Sequence, residues 1–158
     1  MNPPPPLLLT RFGIESSLPW DEGCEPMLAG LLDFAYRRER RNPASVDVLL
    51  ADDAVMSRLN RRHLGLDEST DVLSFDDGEP DGEGRLRLGD LAIGVETAGR
   101  AAAERGIRFE EETAFYVLHG LLHLLGWRDD GDGERAAMLA EQRRLMREYG
   151  LDVSEKIL

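Results

Sequence analysis

VLHGLLHLLGWRDDGDG, residues 117–133, sets two histidines four apart in an apolar run, then a glycine, then a burst of acid. On an α-helix, positions four apart lie about 40° from each other on one face. His119 and His123 can therefore offer two imidazoles to one metal ion. A pair of core histidines, each hydrogen-bonded to a neighbour, is the alternative. The spacing of Leu118, Leu121, Leu122, Leu124 and Leu125 predicts a buried helix over 109–125, stopped by Gly126 at a C′ position. A chain that turns back there brings Asp129, Asp130 or Asp132 towards the imidazoles. Carboxylates are acceptable zinc ligands, and acids just past a helix C-terminus oppose its negative end unless a cation offsets them. A solvated turn is the other account of these acids. Gly120 stands where an H-E-x-x-H peptidase helix carries its glutamate base, which argues against peptide hydrolysis by that route. A glycine there is expected to leave room for a bulky substrate backbone.

Working outward, 7–14 and 45–51 read as strands, and PMLAGLLDFAYRRERR between them as an amphipathic helix punctuated by Pro26 and Asn42-Pro43. Asp52 and Asp53 can cap a helix AVMSRLNRRHL. TDVLSF, 70–75, and LGDLAIGV, 88–95, are further strands, separated by a Gly-rich acidic loop or hairpin. Thr97 leads into a helix that stops at Gly106, and GERAAMLAEQRRLMREYG is a last amphipathic helix ending at Gly150. The order β-α-β-α-β-β-α-α-α predicts an α/β domain of the α+β type. A small mixed four-stranded sheet packs with about five helices, and the metal site lies at the end of the long apolar one. The whole of 1–158 is expected to be one domain, with 1–6 a disordered proline lead.

The 158 residues suffice for one real core. A single cysteine, Cys24, excludes an intramolecular disulfide. No apolar run approaches the roughly 20 residues of a membrane span, and the start lacks a basic n-region, so the cytoplasm is expected and a membrane partner is not. The net charge of −12 argues against a polyanion partner in bulk. The positive charge is nearly all arginine, however, and it clusters at Arg37, Arg38, Arg40 and Arg41 and again at Arg58, Arg61 and Arg62. Arginine forks suit phosphate, although solvated helix faces pairing with nearby glutamates account for such runs equally. Ser74 and Cys24 have no base at a readable spacing and are poor nucleophiles.

His119-Gly120-x-Leu122-His123-Leu124-x-Gly126-Trp127 resembles the signature H-G-x-L-H-L-x-G-Y-D-H of the YbeY family, bacterial endoribonucleases and ribosomal RNA maturation factors. Leu59-Asn60, Thr70-Asp71-Val72-Leu73-Ser74-Phe75 and Leu88-Gly89-Asp90-Leu91 resemble its LN, TDVLSF and LGDI blocks, in the same order over roughly 45–130. The third histidine of the signature falls on Asp129 and the Asp before it on Arg128. A family arginine falls on Leu64, and the tyrosine before it on His63. The resemblance implies zinc held by His119, His123 and Asp129. An anionic third ligand makes bound water less acidic and also admits Mn²⁺ or Fe²⁺.

By the same resemblance the substrate is single-stranded RNA, not DNA. The reaction is metal-dependent phosphodiester hydrolysis in ribosomal RNA 3′-end processing and small-subunit maturation, with small-subunit ribosomal proteins as partners. Cleavage builds charge on the phosphoryl oxygens, and Arg61, Arg62 or Arg128 is expected to replace the missing arginine there. His63 is a candidate acid/base or phosphate donor, or an exposed helix-end residue. Asp71 and Asp90 are candidates to brace histidine ring nitrogens, or to serve strand-end turns. Trp127 is expected to pack over the turn. A second class remains open: an assembly factor that keeps the fold but binds, with its acidity suited to basic ribosomal proteins.

Overall fold

The structure, a computed structural model, describes residues 4–16, 22–64 and 71–151. In chain order it builds β1 (Leu8–Glu15), α1 (Glu25–Arg37), β2 (Ala44–Ala51), α2 (Asp53–Leu64), β3 (Val72–Asp76), β4 (Leu86–Gly94), α3 (Val95–Arg105), α4 (Phe109–Leu124) and α5 (Asp132–Tyr149). This is the order the sequence predicts. Of the expected proline lead, residues 1–3 lie outside the described residues, and the Pro6 carbonyl accepts from Arg85 Nη2 at 3.0 Å. Thr70, expected to open a strand, also lies outside them. Among the described residues no helix is long and apolar enough to cross a membrane.

The sheet runs β1-β2-β4-β3, parallel except for β3, which joins the edge antiparallel to β4. Successive side chains on a strand point to opposite faces, so β2 divides cleanly. Val46, Val48 and Leu50 enter the main core with Leu91 and Ile93 of β4, under α1 and α4. Leu49 and Ala51 face the other way and meet Val55, Met56 and Leu59 of α2, with Leu73, Phe75 and Ala92. This explains why the β2 sequence alternates and then turns wholly apolar: α2 covers only the second half of that face. The uncovered half is ionic, with Arg87 donating to Asp47 (2.9 Å), Asp77 (2.6 Å) and Asp90.

Several boundaries differ from expectation. The α1 helix ends at Arg37 instead of running through YRRERR, because the chain must reach Asn42-Pro43, where the residue before proline is kept from helical geometry. The Tyr36 hydroxyl pins this turn by donating to the Asn42 carbonyl at 2.7 Å. Asp52 caps α2, accepting the Val55 N–H at 3.0 Å. Asp53 gives its N–H to Glu96 and takes Arg100, both at 2.9 Å, which ties α2 to the start of α3. That start is Val95, two residues before Thr97.

The acidic segment before β4 is an ordered hairpin organised by Asp81. Its carboxylate accepts from the backbone of Glu83 (2.8 Å) and Arg85 (3.1 Å), the Ser45 hydroxyl (3.0 Å) and Arg11 (3.3 Å). At its far end Gly89 forms a bulge against β2, with Leu88 as the extra residue. A Cβ on Gly89 would stand 2.1 Å from the Phe75 carbonyl oxygen at a φ of +152°. The LGD block is therefore a steric requirement of the β3–β4 pair.

Two outcomes follow from this packing. Gly89→Ala should destabilise the fold by at least about 2 kcal/mol, since backbone rather than a flexible side chain must yield; urea unfolding measures it. The Asp81 carboxyl is held down at about 2, first by the Glu83 N–H and then, against the cost of desolvation, by the Arg85 N–H, Ser45 and Arg11. Its ionised form thus stabilises the fold fully above the ordinary carboxyl pKa of about 4, and the contribution fades as pH falls towards about 2. Asp81→Asn removes that contribution, so the stability gap between parent and variant should be widest at neutral pH and narrow across this acid window in denaturant titrations.

Candidate metal centre

α4 is apolar nearly all round because α1, α3, α5, β3 and β4 enclose it. Gly120 permits the closest of these approaches. A Cβ there would lie 2.8 Å from Leu91 Cδ2 and 3.2 Å from Val72 Cγ1. The expectation that this glycine makes room for substrate is therefore corrected: it faces the sheet, and a glutamate side chain there would drive into the core.

The helix ends in a Schellman turn. Gly126, at φ +101°, gives its N–H to the His123 carbonyl (3.0 Å), and the Trp127 N–H reaches back to the Leu122 carbonyl (2.9 Å). The returning chain places the Trp127 carbonyl 3.0 Å from His123 Nδ1 and brings Asp129 Oδ2 to 3.4 Å from both His119 Nε2 and His123 Nε2. The two Nε2 atoms are 3.0 Å apart. Asp130 pairs with Arg128, and Asp132 opens α5, where the helix dipole favours an acid. Of the three candidate acids, only Asp129 converges with the histidines.

The hydrogen bonds fix the tautomers. A carbonyl oxygen only accepts, so His123 Nδ1 carries the proton donated to Trp127. His119 Nδ1 lies 3.1 Å from Gln142 Oε1, and the Gln142 amide nitrogen donates to the Phe115 carbonyl at 3.3 Å, which turns the Gln142 oxygen towards the ring. His119 Nδ1 is thus also a donor. In the neutral rings both Nε2 atoms then present lone pairs to each other and to a carboxylate. Three acceptors packed together repel unless a cation lies among them. Tetrahedral zinc, with bonds of about 2.0–2.1 Å to nitrogen and oxygen, sets its ligand atoms about 3.3 Å apart. The donor set and its spacing fit such an ion.

The braces are not the ones expected. Asp71 binds the Val72 N–H and lines the cavity beside His119, whereas Asp90 pairs with Arg87 on the uncovered sheet face. The sequence reading missed Gln142. Its signal was a polar residue at a core position of α5, since Met138, Gln142, Leu145 and Met146 share the buried face.

The other expected site residues separate from the metal ligands. Arg61 and Arg62 line a different cavity beneath α2, with Leu49 of the second sheet face. The His63 ring lies 4.5 Å from that of Phe75, on the same second face. The register of α2 carries all three away from α4. Arg128 is engaged by Asp130 and lies 3.9 Å from Glu134. The cation that does line the metal cavity is Arg135, 58% exposed and held only loosely, by the Asp129 carbonyl (3.4 Å) and Asp132 (3.6 Å). This cavity, about 200 Å³, also presents Tyr116, whose phenol is pushed well up by burial and then by Glu112, so it stays protonated. Trp127 packs on the main core, as expected, and its indole donates to Glu39 at 3.1 Å.

Comparison with known proteins places the chain in a family. Residues 17–150 match the family model described as Endoribonuclease YbeY. The chain is 40% identical over 140 residues to the Endoribonuclease YbeY of Pelotomaculum thermopropionicum, covering 83% of this chain and 92% of the relative. It is 42% identical over 114 residues to that of Symbiobacterium thermophilum, covering 68% and 72%. The fold is similar to the solution structure of TM1509 from Thermotoga maritima, with a TM-score of 0.64, 23% identity and 89% of each chain covered. With a family model spanning most of its length and curated relatives at this identity, the chain belongs to the Endoribonuclease YbeY family.

Proposed function

We propose that this chain is a metal-dependent endoribonuclease of the cytoplasm that cleaves single-stranded RNA during ribosomal RNA 3′-end processing and small-subunit maturation. The observation that carries this reading is the convergence of two bare imidazole nitrogens and one carboxylate within 3.0–3.4 Å beside an open cavity. The names of the relatives supply the substrate class. His119, His123 and Asp129 would hold zinc, with Mn²⁺ or Fe²⁺ admitted by the carboxylate ligand. When bound, such an ion polarises a phosphoryl oxygen and lowers the pKa of a water ligand towards neutrality. Gln142 and the Trp127 carbonyl accept from each Nδ1, which orients each ring and makes its Nε2 a better ligand. Arg135 swings over the cavity to steady charge on the phosphoryl oxygens, the role the sequence offered to Arg61, Arg62 or Arg128. Tyr116 remains a hydrogen-bond donor on the cavity wall.

A second reading rests on the net charge of −12 and the aspartate at the third ligand position. In it the chain binds basic small-subunit ribosomal proteins as an assembly factor and catalyses little.

Metal analysis tests the site. Asp129→Ala should purify with little bound metal. Gln142→Leu should weaken zinc affinity about 10- to 100-fold, and Gln142→Glu, which still accepts from His119, should restore most of it. Unchanged metal content in Asp129→Ala would remove that residue from the shell.

Incubation with single-stranded RNA separates the two functions. The metal-loaded parent should cleave it, a His119→Ala, His123→Ala double variant should not, and double-stranded RNA and single-stranded DNA should survive. Arg135→Ala should lose about 100-fold in kcat with its metal retained. A loaded parent that cleaves nothing would favour the assembly-factor reading.

A further inference from the structure

A charged feature outside the metal centre lies beneath α2, on the sheet face turned away from α4. It is a cavity of about 440 Å³ whose floor is Leu49, Val55 and Leu59. Among the described residues its walls carry Arg58, Arg61 and Arg62 against one carboxylate, Glu15. Elsewhere the guanidiniums are largely spoken for: Arg11, Arg37, Arg38, Arg87, Arg100 and Arg144, for example, each meet a carboxylate. Arg58 and Arg62 are exposed and have no hydrogen bond or ion pair among the described residues. They stand four apart on α2, hence on one face, and two guanidiniums side by side with no counter-ion repel each other. Solvation at a helix C-terminus explains one such arginine, but not a pair lining a concave surface with an apolar floor.

We propose that this cavity is a second RNA-binding site, remote from the metal, that grips one nucleotide of the bound strand. Arg58 and Arg62 take consecutive phosphates, and the apolar floor of Leu49, Val55 and Leu59 receives a base face. The volume suits one nucleotide, and arginine forks match phosphate geometry. The lining offers no ordered array of donors and acceptors to read a base edge, so the grip is independent of sequence. The identity of the ligand rests on the endoribonuclease reading; the unpaired arginines and the cavity do not.

Binding is measured apart from cleavage, by fluorescence anisotropy of a labelled oligouridylate of about twelve nucleotides, with the His119→Ala, His123→Ala protein as parent. Adding Arg58→Ala and Arg62→Ala should weaken binding about tenfold or more, and the slope of log affinity against log salt should fall by about 1.4, the value for two phosphate contacts on a single strand. A control with Arg41→Ala and Arg147→Ala removes the same charge elsewhere and should change neither beyond a small uniform loss. Equal effects in the two pairs would overturn the proposal while leaving the cleavage result intact. A parent that binds no RNA, from a protein that cleaves none, would overturn both readings together. Displacement of the oligonucleotide by an equally charged polyglutamate would reassign the cavity to an acidic protein segment and overturn the RNA site.

Discussion

The site depends on one arrangement of acceptors: two imidazole nitrogens without protons and a carboxylate, all within 3.4 Å. Left to themselves these groups would part. They are held by protons on the far side of each ring, given to the Trp127 carbonyl and the Gln142 oxygen. The peptide groups of Trp127 are used on both sides, since its N–H closes the Schellman turn on Leu122 while its carbonyl fixes His123. The ending of a helix and the construction of a ligand set are thus one event. Gly126 is where they are joined, because its left-handed φ lets the chain reverse early enough for Asp129 to arrive three residues later.

That geometry requires a helix that does not move. α4 is fixed by burial, and its central close contact is Gly120 against Leu91 and Val72. The glycine that distinguishes this helix from a peptidase helix therefore acts through packing. It lowers α4 onto the sheet, while on the α5 side Gln142, fully buried, reaches both His119 and the Phe115 carbonyl. A buried amide with both ends satisfied stabilises the pair of helices and orients the ring at the same time.

Local signals made most of this legible from sequence. The histidine spacing, the stop at Gly126 and the alternation of β2 each reflect a constraint within one element or one turn, and each gave the right element. The bracing of the histidines was not legible, because Gln142 reaches His119 from 23 residues away and only the packing of two helices brings them together. Asp90 was misplaced for a related reason. The bulge at Leu88–Gly89 resets which β4 side chains face each way, and it turns Asp90 towards Arg87. Arg62 and His63 were drawn towards the metal by their place beside Leu64, where the resembled family carries its arginine. The alternation of β3 shows why that fails, since Val72 faces α4 whereas Phe75, beneath His63, faces α2.

Charge is the property for which the whole-chain number misleads most. A net −12 suggests a protein that repels nucleic acid. At physiological salt, however, a phosphate feels charges within a Debye length of about 8 Å and little beyond. Part of the acid within that radius is paired with arginine. Arg87 serves three carboxylates, and Asp81, Asp53 and Glu112 each hold an arginine. Arg58 and Arg62 under α2 and the weakly held Arg135 at the metal cavity place cations where concave surfaces open. An acidic exterior with cationic hollows disfavours indiscriminate adsorption along a polyanion and still admits a strand that fits both hollows. Under the proposed action on single strands among abundant structured RNA, that distribution would be a source of selectivity that the sum of charges conceals.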